Sequence, residues 1–122
     1  MYRIDFESLS EAAEIIYCFM TFPVLTRPEC TLWNDEGLPN TVTNKGKKFM
    51  SEEKFCRWLM SSDFAAISCV ASTDKEDKRH VVLSLMPGAR YMTLNFPMAK
   101  GRPSEAEKSL LHILEKYNEY ES

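Results

Sequence analysis

The sequence predicts an α+β fold in which two to three helices pack mainly on one face of a three- to four-stranded antiparallel sheet. Apolar residues recur at helical spacing near both ends of the chain and once in the middle. Residues 64–96 instead hold three strand-like runs joined by short polar or Pro-Gly turns, which is typical of an antiparallel meander. Helices that stand apart from a run of strands favour α+β over α/β.

The first elements are a short strand and a helix. Residues 2–6 alternate apolar and charged side chains, which is the period of a half-buried strand. Ser8 and Glu11 form an S-x-x-E capping box, whose hydroxyl and carboxylate satisfy free backbone N–H groups at a helix start. The helix must end before Pro23, because proline disfavours helical geometry in the residue that precedes it.

Residues 23–50 are the least periodic part of the chain. Only residues 31–33 and 41–43 resemble strands, and they could form a hairpin across residues 35–40. A plain hairpin with Trp33 in the core is one interpretation. The other is a partner-contacting segment, because loops longer than about 12–15 residues without regular structure are often functional.

The second half of the chain predicts helix, three strands and helix. Ser51, with two glutamates after it, begins a short helix. Residues 64–72, 80–86 and 91–96 are the strands of the meander, and Ser104 with Glu107 repeats the S-x-x-E box. A chain of 122 residues is the size of one domain, so residues 1–122 are expected to form one globular unit.

Few residues indicate chemistry. The four cysteines, at positions 18, 30, 56 and 69, include no close pair of the kind that zinc sites use, so neither a metal nor a cofactor is expected. Cys56, and His80 beside two cations, are the best nucleophile and acid–base candidates, but neither has a partner visible in the sequence. No catalytic residue is therefore assigned, and an enzyme is the less favoured interpretation.

The chain shows no address for a membrane or for secretion. It has no apolar run of about 18 residues, and its acidic first segment does not resemble a secretory signal. We expect a cytoplasmic protein with reduced thiols that has no membrane partner.

Charge is unevenly distributed, although the chain has 15 Lys+Arg against 18 Asp+Glu. Residues 1–44 carry two cations and seven anions, residues 45–103 eleven cations and six anions, and residues 104–122 two cations and five anions. The preferred hypothesis is a small binding protein that contacts a larger protein, because the chain lacks a catalytic signature and has more methionine and aromatic residues than its core needs to bury; its acidic segments would face a basic partner site. It could be an inhibitor, or an immunity- or anti-defence-type regulator, of a nucleic-acid-handling enzyme whose basic site faces these acids. The predicted contact residues are Trp33, Asp35, Glu36, Glu11, Glu14, Glu115 and Glu119.

The basic middle supports an alternative. Two loops that combine lysine or arginine with a glycine precede predicted helices, where backbone N–H groups favour anions. The alternative is a nucleotide- or RNA-binding protein, including a small nuclease, that would use Lys45, Lys47, Lys48, Lys100 and Arg102. A structural homodimer is the third hypothesis.

Overall fold

The structure, a computed structural model, describes residues 2–73, 80–85, 88–96 and 105–114, with the side chains of the last segment from residue 108 onward. These residues form six strands and three helices. In chain order the elements are β1 (Tyr2–Asp5), α1 (Leu9–Met20), β2 (Thr26–Trp33), β3 (Pro39–Thr43), α2 (Glu52–Met60), β4 (Ala66–Ser72), β5 (His80–Leu85), β6 (Tyr91–Asn95) and α3 (Glu105–Leu114). The predicted α+β class is confirmed.

The sheet is larger than predicted. Its six strands have the order β1-β6-β5-β4-β2-β3, and every neighbouring pair is antiparallel. The predicted meander is confirmed as β4, β5 and β6, but the expectation of three to four strands is wrong. A three-stranded meander leaves unpaired N–H and C=O groups along both edges. β1 pairs with one edge, and the β2–β3 hairpin pairs with the other.

The predicted starts of α1 and α2 are confirmed. The Ser8 hydroxyl accepts a hydrogen bond from the Glu11 N–H at 3.2 Å, and the Glu11 carboxylate accepts one from the Glu7 N–H at 3.1 Å. The Ser51 hydroxyl accepts from the Lys54 N–H at 3.3 Å. Each cap satisfies N–H groups that have no partner inside the helix. The predicted start of the last helix, at residue 104, lies outside the described residues.

The core lies on one face of the sheet. Alternate strand residues, such as Leu32, Cys69 and Leu83, face this side and are at most 2% exposed. All three helices add buried side chains to the same cluster, including those of Phe55 and Leu110. The strand residues that alternate with these buried ones face the opposite side of the sheet. No described helix covers that face with side chains of the core cluster.

None of the described helices is both long and apolar enough to cross a membrane. This finding concerns residues 2–73, 80–85, 88–96 and 105–114.

The buried thiols give the fold a specific pH dependence. Burial, with a smaller contribution from the adjacent Cys30 thiol, raises the pKa of Cys69 well above its ordinary value of 9.0. Cys69 lies opposite Cys30 in the pairing of β4 with β2. Above pH 9.0 the unfolded thiol therefore loses its proton while the folded one keeps it.

Below pH 9.0 the Cys69 thiol should not affect the free energy of unfolding. Above that pH we expect this free energy to fall, by at most about 1.4 kcal/mol per pH unit. Urea unfolding between about pH 7 and pH 10 measures the slope. Cys69→Ala should flatten it, whereas Cys56→Ala, at a partly exposed thiol, should not. Equal slopes for both variants and the wild type would contradict this assignment.

Candidate functional site

Part of residues 23–50, the least periodic segment of the sequence, forms a regular hairpin of β2 and β3. Its register pairs Thr31 with Thr41 and Trp33 with Pro39. The two threonine hydroxyls lie 2.9 Å apart and share a hydrogen bond. We define the hairpin tip as residues 33–39, which close the turn between the two strands.

One side chain organises the turn. The Asn34 Oδ1 atom accepts hydrogen bonds from the backbone N–H groups of Glu36 and Leu38, both at 2.9 Å. The Asn34 carbonyl accepts from the N–H of Gly37, whose φ of 77° lies in the left-handed region that glycine adopts without strain. On the far side of β2, the Ala65 N–H donates to the Trp33 carbonyl at 2.6 Å. The turn is thus supported by hydrogen bonds from both the side chain and the backbone of Asn34.

The tip exposes two large apolar side chains. Leu38 is 58% exposed and Trp33 is 38% exposed. Trp33 faces away from the core because Leu32 faces into it, and strand side chains alternate between the two faces. The interpretation that placed Trp33 in the core is therefore wrong, although the period-two rule could have corrected it.

Two carboxylates stand beside these apolar groups. Asp35 and Glu36 are exposed at the turn. Neither has an ion-pair partner within the part of the chain that the structure describes. Three of the predicted contact residues, Trp33, Asp35 and Glu36, therefore lie together at the tip, where sequence reasoning missed Leu38. An apolar residue between glycine and proline in a turn was the available signal.

The other predicted acidic residues are placed elsewhere. Glu11 caps α1 and is partly buried. Glu14 lines a shallow depression of about 610 Å³ between α1 and α2, together with Glu52 and Glu53. That depression contains no residue of the hairpin tip. Residues 115 and 119 lie outside the described residues. Of the four helix glutamates in the preferred hypothesis, the structure therefore describes only Glu11 and Glu14.

The predicted basic residues divide between two hollows. Lys45 and Lys47 line a cleft of about 930 Å³ at the end of the hairpin opposite to its tip. Lys48 instead lines a neighbouring hollow of about 430 Å³, where Lys45 also contributes. The larger cleft is lined by no residue of α2, the helix whose N-terminus the alternative hypothesis combines with these cations. It does include Arg27, which sequence reasoning missed. Residues 100 and 102 lie outside the described residues.

The acid–base candidates do not combine into one site. The Cys56 thiol donates a weak hydrogen bond to the Met60 sulfur at 3.6 Å, within α2. His80 begins β5 and pairs across the sheet with Ser72. Among the described residues, no three histidine, cysteine or acidic side chains are grouped so that they could hold a metal ion.

No protein-family model, no curated protein and no solved structure matches the chain.

Proposed function

We propose that the protein is a small binding protein that docks on a larger protein partner through the hairpin tip. The observation that carries this proposal is the exposure of Leu38 and Trp33 on a turn whose backbone is already fixed. Tryptophan is enriched among the residues that dominate binding energy at protein interfaces. A fixed turn also loses little conformational entropy on docking, so more of the contact energy contributes to affinity.

Charge at the tip favours a basic partner surface. Asp35 and Glu36 project beside the two apolar anchors, and no cation of the described chain neutralises them. Paired carboxylates of this kind accelerate association with a cationic surface more than they strengthen the final complex. The basic channel of a nucleic-acid-handling enzyme has this character, and a hairpin tip that occupied it would act as an inhibitor.

A charge-reversal experiment tests the electrostatic part of the proposal. A partner is first captured from an extract of the source organism and identified by mass spectrometry, and association is then measured with the purified partner. We expect Asp35→Lys with Glu36→Lys to slow association by about tenfold or more at low salt, and by less as salt screens the charges.

The matched control reverses two exposed carboxylates away from the tip, Glu7→Lys with Glu29→Lys, and so changes the net charge equally. This control should associate within about twofold of the wild type, because its charges lie outside the contact. Equal slowing in both double variants would show that net charge, and not the tip, governs association.

A further inference from the structure

A second feature of the molecule is the larger cleft, which lies at the opposite end of the β2–β3 hairpin from the tip. It opens between the C-terminal end of α1, the start of β2 and the loop that follows β3. Its volume of about 930 Å³ falls in the range of small-molecule sites, which is roughly 300–1,000 Å³. Its floor is apolar, because Met20, Phe22 and Leu25 line it and are each at most 8% exposed.

The rim of the cleft is cationic. Arg27, Lys45 and Lys47 line it from two separate segments, against a single carboxylate, that of Glu29. Arg27 adopts a φ of 53° directly before Pro28, a conformation that is unusual for a residue other than glycine. Strained backbone of this kind recurs at binding sites, and here it occurs at a residue of the rim.

Carbonyl groups at the end of α1 already have hydrogen-bond partners within the chain. The Tyr17 carbonyl accepts from the backbone N–H and the hydroxyl of Thr21, and the Phe19 carbonyl accepts from the Phe22 N–H. The Met20 carbonyl accepts from the side-chain amide of Asn44 at 2.7 Å. Helix C-termini favour cations through such carbonyls, and three of them are already satisfied.

Asn44 also fixes the shape of the cleft. Its backbone N–H donates to the Pro28 carbonyl at 2.9 Å, and its Oδ1 atom accepts from the Gly46 N–H at 3.1 Å. Together with the bond to α1, these contacts join the helix end, β2 and the lysine-bearing loop. The walls are therefore formed before any ligand arrives.

We propose that this cleft binds a small amphipathic anion, a molecule with an aliphatic or aromatic body and one carboxylate, sulfonate or phosphate head. The apolar floor would cover the body, and Lys45 and Lys47 at the rim would face the head. Inorganic phosphate alone would leave the floor uncovered, and a neutral apolar molecule would make no use of the rim. The proposal does not depend on docking at the hairpin tip.

Fluorescence titration of the full chain with 8-anilinonaphthalene-1-sulfonate tests the proposal. N-phenyl-1-naphthylamine, which has the same rings without the sulfonate, is the neutral comparison probe. We expect Lys45→Gln with Lys47→Gln to raise the Kd of the sulfonate by about tenfold at low salt, the sum of two exposed charge interactions. The Kd of the neutral probe should not change. A control that removes two exposed cations elsewhere, Lys54→Gln with Arg90→Gln, should leave both values as in the wild type.

Competition separates the two parts of the ligand. Decanoate should displace the sulfonate probe, and inorganic phosphate at the same concentration should not. The proposal is overturned if the two double variants bind the sulfonate equally, if phosphate competes as well as decanoate, or if probe binding requires loss of the near-ultraviolet circular dichroism of the folded state. Partner capture by the hairpin tip should persist in Lys45→Gln with Lys47→Gln, so a failure here is distinct from a failure of docking.

Discussion

Replacing Phe55 by alanine is expected to lower the free energy of unfolding by about 3–5 kcal/mol, the usual range for a buried phenylalanine. Phe55 is 0% exposed in α2. Its ring centroid lies 5.5 Å from that of Tyr17, 5.9 Å from that of Phe49 and 5.6 Å from that of Trp58. Removing the ring would leave a cavity in this aromatic cluster and would also remove its three tilted ring contacts.

The expected loss is large because the cluster joins distant parts of the chain. Tyr17 belongs to α1, and its hydroxyl donates to the Met50 carbonyl at 2.7 Å, which fixes the segment before α2. Phe49, in that segment, packs against the Tyr17 ring at 5.8 Å. Phe55 thus supports both the contact between the helices and the segment that leads from β3 into α2.

Urea unfolding followed by far-ultraviolet circular dichroism measures the loss. Small domains have only about 5–15 kcal/mol of stability, so Phe55→Ala could leave too little folded protein. Phe55→Leu keeps most of the volume and should lose about 1–2 kcal/mol. Met60→Ala, at a side chain 46% exposed on the same helix, should change stability by less than about 0.5 kcal/mol. Equal losses at Phe55 and Met60 would show that the aromatic cluster does not stabilise the fold.

For this chain, the sequence predicts where helices start better than it predicts which strands pair. The helix starts at Ser8 and Ser51 depend on side chains that bond to their own backbone, and both are present as predicted. The strands left out of the predicted count are β2 and β3: β2 belongs to the sheet through its pairing with β4, which is distant in sequence, and β3 joins the sheet only through β2. The count of strands was underestimated for this reason.

The hairpin tip and the cleft also differ in how far the sequence could predict them. Trp33, Asp35 and Glu36 lie close together in the structure because they are close in sequence. Their positions along the chain were therefore enough to group them. The cleft joins residues 20–29 with residues 43–47 through the pairing of β2 with β3, which no local pattern reveals. The unusual backbone of Arg27 is also a product of tertiary structure, since it falls where the register of β2 against β4 shifts.

Removing both apolar anchors of the hairpin tip is expected to weaken partner binding by about 100-fold or more, because a tryptophan anchor typically contributes about 2 kcal/mol and burial of a leucine side chain about 1.5 kcal/mol. The variant is Trp33→Ala with Leu38→Ala. Leu38 is mostly exposed, Trp33 is partly covered, and the Asn34 bonds of the turn remain, so the free energy of unfolding should fall by about 1–2 kcal/mol. The double variant should therefore lose much more partner affinity than folding stability, as expected if these residues serve docking and not folding.

The matched control truncates two equally exposed side chains away from the tip. Val24→Ala with Met60→Ala removes groups that are 44% and 46% exposed, against 38% and 58% at the tip. Isothermal titration of the purified partner should give a wild-type Kd for this control, since the loss of two surface methyl groups and a thioether outside the contact removes no interface area. A tip variant that bound as tightly as the control would overturn docking through the tip.

Solution mass decides between a foreign partner and a second copy of the chain. If the wild type is a dimer by light scattering and the tip variant a monomer, the two anchors bury each other across a two-fold axis, and the protein partner is the same chain. The acidic residues argue against that outcome, because a two-fold axis through the tip would bring Asp35 and Glu36 of both copies together without a cation between them. We therefore expect a monomer in both cases, and an affinity for the partner that changes only with the tip.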